Sequence, residues 1–405
     1  MENRIEPSFC KARTKGGTRC QRTAVAGSRY CSVHRRWFVR AVLWLWNNAV
    51  VTLIGIVASI ASIIALVMIF WPHHPLLKEL TVFSPMRPEM KEKIAKLAEE
   101  KLGISVKWEP EGVMSGRELG DKVENAVQER FKGDAVVVGC SYTVLEDLAR
   151  KNLLRNLDGP LRDSYFKKSP YCTSFWVGWY RGFIGVAYWD SLCRFNRDST
   201  LTWQTIVEAL ENNDLRVTLT DPSIGTGGQF LAFGFLKSLG PDEGKKLLDR
   251  LYHRCLCASV GRGDDIEKLV NHRVAMCINW YHLLKTDLDK SIEGQGLLKS
   301  GQIRLSIPKD TPWEIGAASI LNTTDDWKTA GKFIDMLLSE QMADIQGKVM
   351  RRYSIRDSTP GLPPWPENLV LKYDVQTDFE LMNQSLSKAR SLWPQGIKGC
   401  KEEHE

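Results

Sequence analysis

The sequence predicts an α/β fold for the long C-terminal part of this 405-residue chain. A small zinc-binding module and one transmembrane helix are predicted to precede it. Three observations carry this reading: short apolar strands alternate with amphipathic helices from Leu80 onward, Val50 to Phe70 is uncharged, and three cysteines and a histidine gather before residue 35. Strand, turn and helix in alternation build helical layers on a mainly parallel sheet. At 43% hydrophobic and 25% charged content, the chain has room for two lobes of ordinary domain size.

The N-terminal segment places Cys10, Cys20, Cys31 and His34 within 25 residues. Three thiols and one imidazole are the four ligands of a closed tetrahedral zinc site, and Cys31-x-x-His34 lets two of them grip one ion from a single turn. Gly16, Gly17 and Gly27 permit the reversals that bring Cys10 and Cys20 round. The segment resembles a short zinc-binding module of pattern C-x-x-x-T-K-x-G-x-x-C-x-R-x-A-x-x-G-x-x-Y-C-x-x-H. So short a piece buries little core, which makes the metal its main source of folding energy. The Zn2+ is read as structural, since all four positions are ligands; reduced, unliganded thiols are the alternative.

Val50 to Phe70 is an uncharged run of 21 residues. At about 1.5 Å per helical residue it spans a hydrocarbon core of roughly 30 Å. Trp44, Trp46 and Trp71 flank it, Arg35, Arg36 and Arg40 precede it, and Pro72-His73-His74-Pro75 follows. The positive-inside rule therefore puts the N-terminus in the cytoplasm and the chain beyond residue 72 outside, as a single-pass protein of the cell membrane. A cleaved signal peptide is the competing reading, but the run begins late, is long, and has no small-residue cleavage site after it. The expected organisation is a cytoplasmic module over residues 1–38 and an anchor over 41–71.

The formal net charge of +7 belongs to the tail. Residues 1–40 hold ten Lys and Arg against Glu2 and Glu6, residues 41–75 hold no charged side chain, and the rest carries 45 basic against 46 acidic residues. A nucleic-acid binder needs clustered cations on its folded surface, so nucleic acid is excluded as a partner.

In the large domain, strands are expected at Leu80–Phe83, Ile104–Trp108, Asp134–Gly139 and Arg216–Pro222. Helices are expected at Glu89–Lys101, Tyr142–Lys151 and Gly228–Leu239. In such sheets the ligand crevice lies beyond the carboxyl ends of the strands. Three strand-to-helix turns face it: Ser84 to Arg87, Gly139 to Thr143, and Ser223 to Gly228. Helix N-termini present unpaired N–H groups and positive dipole ends, so convergent ones favour an anion. Ser84, Ser141, Ser223 and Thr226 add hydroxyls, and Gly225, Gly227 and Gly228 admit close backbone approach. Arg87 and Arg262 are candidate counter-charges. Ordinary N-caps and tight turns account for the same Ser, Thr and Gly residues.

From about Leu80 to Pro363 the chain resembles bacterial extracellular solute-binding proteins of the kind that serve ABC importers, in the ferric-ion and phosphosugar group. The markers are Ser84-Pro-Met-Arg87-Pro-Glu, Gly133-Asp-Ala-Val-Val-Val-Gly139, Gly178 to Trp189, Leu201-Thr-Trp-Gln, Asp221-Pro-Ser-Ile-Gly-Thr-Gly-Gly228, Trp313-Glu-Ile-Gly-Ala-Ala and Arg352-Tyr-Ser-Ile-Arg356. The resemblance implies the two-lobed type 2 periplasmic-binding-protein fold with hinge crossovers near Phe175–Trp189 and Ile307–Ile315. It divides the chain into lobe 1 over 76–182, lobe 2 over 183–308, and a return to lobe 1 with C-terminal helices over 309–405. Ferric-ion members present adjacent tyrosines after a V-A-x-x-I strand. Here Val274-Ala-Met-Cys-Ile is followed by Asn279-Trp280-Tyr281-His282, so Trp280 stands where one tyrosine is expected. Trp280 and Tyr281 are read as contacts to the ligand or as packing at the cleft rim.

No catalytic constellation is present. His253 and His272 lack Asp, Ser or H-E-x-x-H companions, and Asp264-Asp265 suits a helix start. Seven cysteines follow the anchor, an odd number that leaves one unpaired. The expected function is capture of a small, anionic solute, a phosphate ester or oxyanion, by hinge closure for an ABC permease. A receptor signalling to the zinc module and a ferric-ion binder are the alternatives, and the chain is not expected to be an enzyme.

Overall fold

The computed structural model describes residues 22, 36–37, 39–49, 52, 77–196, 199–223, 225–259, 264–356, 359–374, 378–394 and 397. The chain divides into two compact units, 1–76 and 77–405. In the first, residues 39–49 are helical and Trp44 and Trp46 are exposed. Cys10, Cys20, Cys31, His34, Arg262 and all of the uncharged run except Thr52 lie outside the described residues. Among the described residues no helix is long and apolar enough to cross a membrane.

The second unit opens as the alternation predicts. β1 (Lys78–Phe83) leads to α1 (Pro88–Leu102), β2 (Ile104–Glu109), α2 (Gly116–Gln128), β3 (Ala135–Ser141) and α3 (Tyr142–Arg150). α1 shows why these residues fold locally. Pro88 presets its first turn, Glu89 faces the positive dipole end, and Gly103 adopts a left-handed conformation (φ 63°) that closes it. Met90, Ile94, Leu97 and Ala98 supply the buried stripe. α4 (Pro160–Phe166) then leads into β4 (Val177–Trp189).

β4 is followed by α5 (Asp190–Cys193), α6 (Trp203–Asn212), β5 (Val217–Thr220), α7 (Thr226–Leu239), α8 (Pro241–His253), β6 (Cys255–Ser259) and α9 (Asp264–Val270). Next come β7 (Met276–Trp280), α10 (Tyr281–Lys290), α11 (Ile292–Lys299) and β8 (Ile303–Ser306). The chain returns through β9 (Trp313–Ile320), α12 (Trp327–Leu337), α13 (Glu340–Ile345), a π turn (Gln346–Met350), β10 (Tyr353–Ser354) and α14 (Phe379–Leu392).

The strands run in the order β2-β1-β3-β9-β4-β7-β5-β6, with β8 and β10 also pairing β4. β1 is parallel to β2 and β3, and β5 is parallel to β6 and β7. All seven residues of β3 are buried, as expected of a strand covered by helices on both faces. β4 changes partners midway. Val177 to Phe183 pair with β9, whereas Ile184 to Tyr188 pair with β7. At the change, the Ile184 N–H donates to the Pro312 carbonyl at 3.0 Å and the Thr311 hydroxyl donates to the Ile184 carbonyl at 2.8 Å.

α7 begins at Thr226, two residues before the expected Gly228. The glycines belong to its first turn because the helix abuts β5 end-on: a Cβ on Gly228 would lie 2.3 Å from the Thr220 carbonyl oxygen.

The buried end of β3 depends on one side chain. The Ala135 N–H donates to the Thr324 hydroxyl at 3.1 Å, and that hydroxyl donates back to the Ala135 carbonyl at 2.8 Å. Thr324→Val keeps the shape but orphans the N–H. We expect a loss of about 1–3 kcal/mol of stability, read from the urea midpoint, with an unchanged denaturant slope.

Candidate functional site

Five helix N-termini meet at one cleft between the two halves of the sheet. The residues preceding α1, α2, α3, α7 and α10, namely Arg87, Ser115, Ser141, Gly225 and Trp280, all line it. The cleft has a volume of about 210 Å³. Whether such ends serve a ligand or merely cap themselves is decided by where their N–H groups go. α2 is closed by a reciprocal Ser115–Glu118 capping box and α3 by the Ser141 hydroxyl. α1, α7 and α10 carry no side-chain cap, so their first-turn dipoles are left for whatever occupies the cleft.

Three buried side chains with unpartnered atoms line the same cleft. Arg352 is 8% exposed, and its Nε and Nη1 have no hydrogen-bond partner. Its guanidinium lies 4.4 Å over the Tyr180 ring, while the Tyr180 hydroxyl is spent on the Gly139 carbonyl at 3.0 Å. Glu314 is 4% exposed with Oε2 unpartnered. Burial pushes its carboxyl up to about 8, against the opposing pulls of Arg352 and the nearby Ser141 hydroxyl. His282 is 3% exposed, and neither ring nitrogen has a partner. Burial, with Arg352 and Arg87 nearby, holds its pKa well below the usual imidazole value, so it is neutral.

The lower half of the sheet contributes Thr220 and Asn279. Asn279 is fixed by donating to Asp265 at 3.0 Å and accepting the Trp280 N–H at 2.8 Å. Gly227 sits so close that a Cβ would be 3.2 Å from the Thr220 hydroxyl and 3.4 Å from the Trp280 indole nitrogen.

Of the residues expected from sequence, Arg87, Ser141, Gly225, Thr226, Gly227 and Trp280 line this cleft. The structure places the others as follows. Ser84 is fully buried beneath it, its hydroxyl accepting the Met86 N–H at 3.3 Å. Ser223 is held by Asp221, which accepts both its N–H at 2.7 Å and its hydroxyl at 2.6 Å. Gly228 serves the contact of α7 with β5. Tyr281 turns from the cleft to pack on Phe183, at 5.0 Å between rings, and against Gly185. Arg87 is a counter-charge already engaged, since it grips Asp287 with two bonds of 2.5 and 2.8 Å. Arg262 lies outside the described residues.

Sequence reasoning missed Glu314, Arg352, Asn279 and Tyr180. The one visible signal was Glu314 itself, the single charged residue of the largely apolar strand Trp313–Ile320. Among the described residues no group of three or more His, Cys, Asp or Glu could hold a metal ion.

No protein-family model matches the chain, and no curated protein matches it. Solved structures do. The periplasmic binding protein AfuA from Actinobacillus pleuropneumoniae, with fructose-6-phosphate bound, superposes with a TM-score of 0.63 at 15% identity, over 79% of this chain and 98% of that one. Iron-bound HitA from Pseudomonas aeruginosa gives 0.62 at 18% identity, over 78% and 99%. A periplasmic thiamin binding protein gives 0.61 at 14% identity, over 78% and 96%. The large unit therefore has the fold of the periplasmic binding proteins, a fold that in these three serves binding.

The Arg87–Asp287 pair joins α1 of one half to α10 of the other, with side chains 12% and 11% exposed. Removing one member of a buried pair leaves an uncompensated charge, whereas removing both does not. Asp287→Ala is expected to cost about 3–5 kcal/mol, and Arg87→Ala/Asp287→Ala distinctly less, as measured by chemical denaturation in a double-mutant cycle.

Proposed function

We propose that this chain is a membrane-anchored extracytoplasmic solute-binding protein that captures a small anion, a phosphate ester or oxyanion, for an ABC-type importer. The observation that carries the reading is Arg352, a buried guanidinium with unpartnered N–H groups in a cleft that three uncapped helix N-termini also face. A buried cation with open donors is costly until something negative pairs with it. Helix ends and guanidinium ask for the same sign of charge, and capture by hinge closure supplies it to both halves at once. The lobes are taken as 76–182 with 309–405, and 183–308, so that the hinge coincides with the partner change in β4.

Iron capture is disfavoured because Tyr281 faces away from the cleft and Trp280 occupies the neighbouring position. The large unit is placed outside the cell by the charge asymmetry about Val50–Phe70. In agreement, Cys257 is disulfide-bonded, and disulfides persist in oxidising compartments. Cys10, Cys20, Cys31 and His34 form the donor set of a structural Zn2+ on the cytoplasmic side.

Phosphate, sugar phosphates or phosphonates are expected to raise the melting temperature of the purified chain, by the equivalent of about 2.7 kcal/mol at a hundredfold excess over Kd. Arg352→Ala removes the shift. A shift with ferric iron alone would reverse the proposal. In intact spheroplasts, external protease should digest the large unit and spare an epitope at the N-terminus. Peptide mapping without reductant should find Cys257 in a disulfide, and Cys140, Cys172, Cys193, Cys255 and Cys277 as free thiols.

A further inference from the structure

The cleft holds a carboxyl and a guanidinium that do not pair. Glu314 and Arg352 are close enough to influence each other electrostatically, yet no ion pair joins them. An ionised carboxylate buried beside an unpartnered guanidinium would gain strongly by closing on it. A neutral acid has less to gain, and its free oxygen is available to whatever enters the cleft. Glu314 sits on β9 and shares the cleft lining with Ser141 and Arg352. Oε2 is the oxygen left unpartnered in the cleft.

We propose that Glu314 is the specificity-determining residue of the cleft: as a neutral acid it donates its carboxyl proton to one oxygen of the captured anion, so that capture requires that proton. This rests on the anion reading above and deepens it. Arg352 and the Glu314 O–H together offer donors to a group with two or more acceptor oxygens. A cation entering the same cleft would need Glu314 ionised and would face Arg352 unshielded. Oxyanions are therefore taken and metal cations refused.

The groups facing Glu314 leave it as the one that titrates among the described residues around it. They are Arg352 from the turn before β10, Cys140 and Ser141 from β3, Tyr142 from α3, Tyr180 from β4, Tyr373 from the segment before α14, and His282 from α10, which burial already holds neutral well below the pH range of the test. Burial pushes the Cys140 thiol up to about 12 and raises all three tyrosines, so these stay neutral. Arg352 is a permanent cation. Without the anion, Glu314 titrates near 8, and an anion beside it raises that value further. Below pH 8 the proton is in place and binding takes up none. Above pH 8 it has been lost, and each binding event must recover one.

The test is calorimetric titration of the full chain in detergent with sulfate, phosphate and fructose-6-phosphate between pH 8 and 9.5, where sulfate and the sugar phosphate keep one charge and the residual monoanion of inorganic phosphate is corrected for. The native chain should lose affinity for those it binds by about tenfold per pH unit, with proton uptake seen as a dependence of the heat on buffer. Glu314→Gln, whose amide donates but does not titrate, should bind with one affinity throughout. Lys91, which burial lowers to about 8 behind the loop at Pro110–Gly112, is kept in that variant and so is separated from Glu314. The infrared spectrum of the native chain should show a protonated carboxyl at pH 7 that is lost by pH 9.5. A flat pH profile, or no such carboxyl, overturns the proposal. If the carboxyl is present but none of the three anions binds at any pH, the anion reading fails instead. Ferric iron binding with proton release overturns both.

Discussion

One strand constrains everything else. β4 is thirteen residues long and hydrogen-bonds into both halves of the sheet. Every residue of it but Arg181 is buried. The halves therefore share a backbone, and the pairing changes where Phe183 gives way to Ile184. The glycines of this strand serve the neighbours that crowd it. A Cβ on Gly178 would meet Ile315 at 2.7 Å, and one on Gly185 would meet Tyr281 at 2.9 Å. The cleft lies beside this strand because the turns that follow β1, β3, β5 and β7 gather there, as strand direction dictates.

Two arginines at the cleft show how differently the fold treats one chemistry. Arg87 crosses from α1 to α10 and is satisfied in a bidentate pair with Asp287, with Lys290 and Glu89 paired alongside at 2.6 Å. Such a pair adds little net stability but fixes one register of the two halves. Arg352 has an aromatic face for its guanidinium plane and nothing for two of its N–H groups. The first arginine is spent on joining the two halves of the sheet, and the second keeps open donors in the cleft.

The backbone of this site was legible in the sequence, and much of its side-chain chemistry was not. Period-two strands, helix starts and Gly-rich turns report local geometry, so Arg87, Ser141, Gly225, Thr226 and Gly227 could be placed at the cleft from the turns alone. Trp280 and Tyr281 are neighbours in sequence, and the strand-to-helix junction between them sends one ring into the cleft and the other onto Phe183. No local pattern says which. Arg352 follows Arg351, which takes a left-handed conformation (φ 52°) at the end of a π turn. That irregularity decides which of two adjacent arginines turns inward. Ser223 and Ser84 illustrate the opposite error, hydroxyls that look like donors to a ligand but are consumed by their own turns.

A desolvated cleft lets a single proton do what a charge would do in water. Had β9 carried a residue with a fixed negative charge beside Arg352, the two would neutralise each other and the helix ends alone would hold the anion. Had it carried an alanine, the site would keep its cation and lose a donor. A carboxyl that burial keeps protonated supplies the donor and leaves the positive field of Arg352 and the helix termini intact. The tyrosines around it stay neutral for the same reason, the cost of charging a buried group. Burial thus sets both the sign of the field in the cleft and the protonation of the group that reads the ligand, so selectivity follows from how thoroughly β4 and its neighbours exclude water.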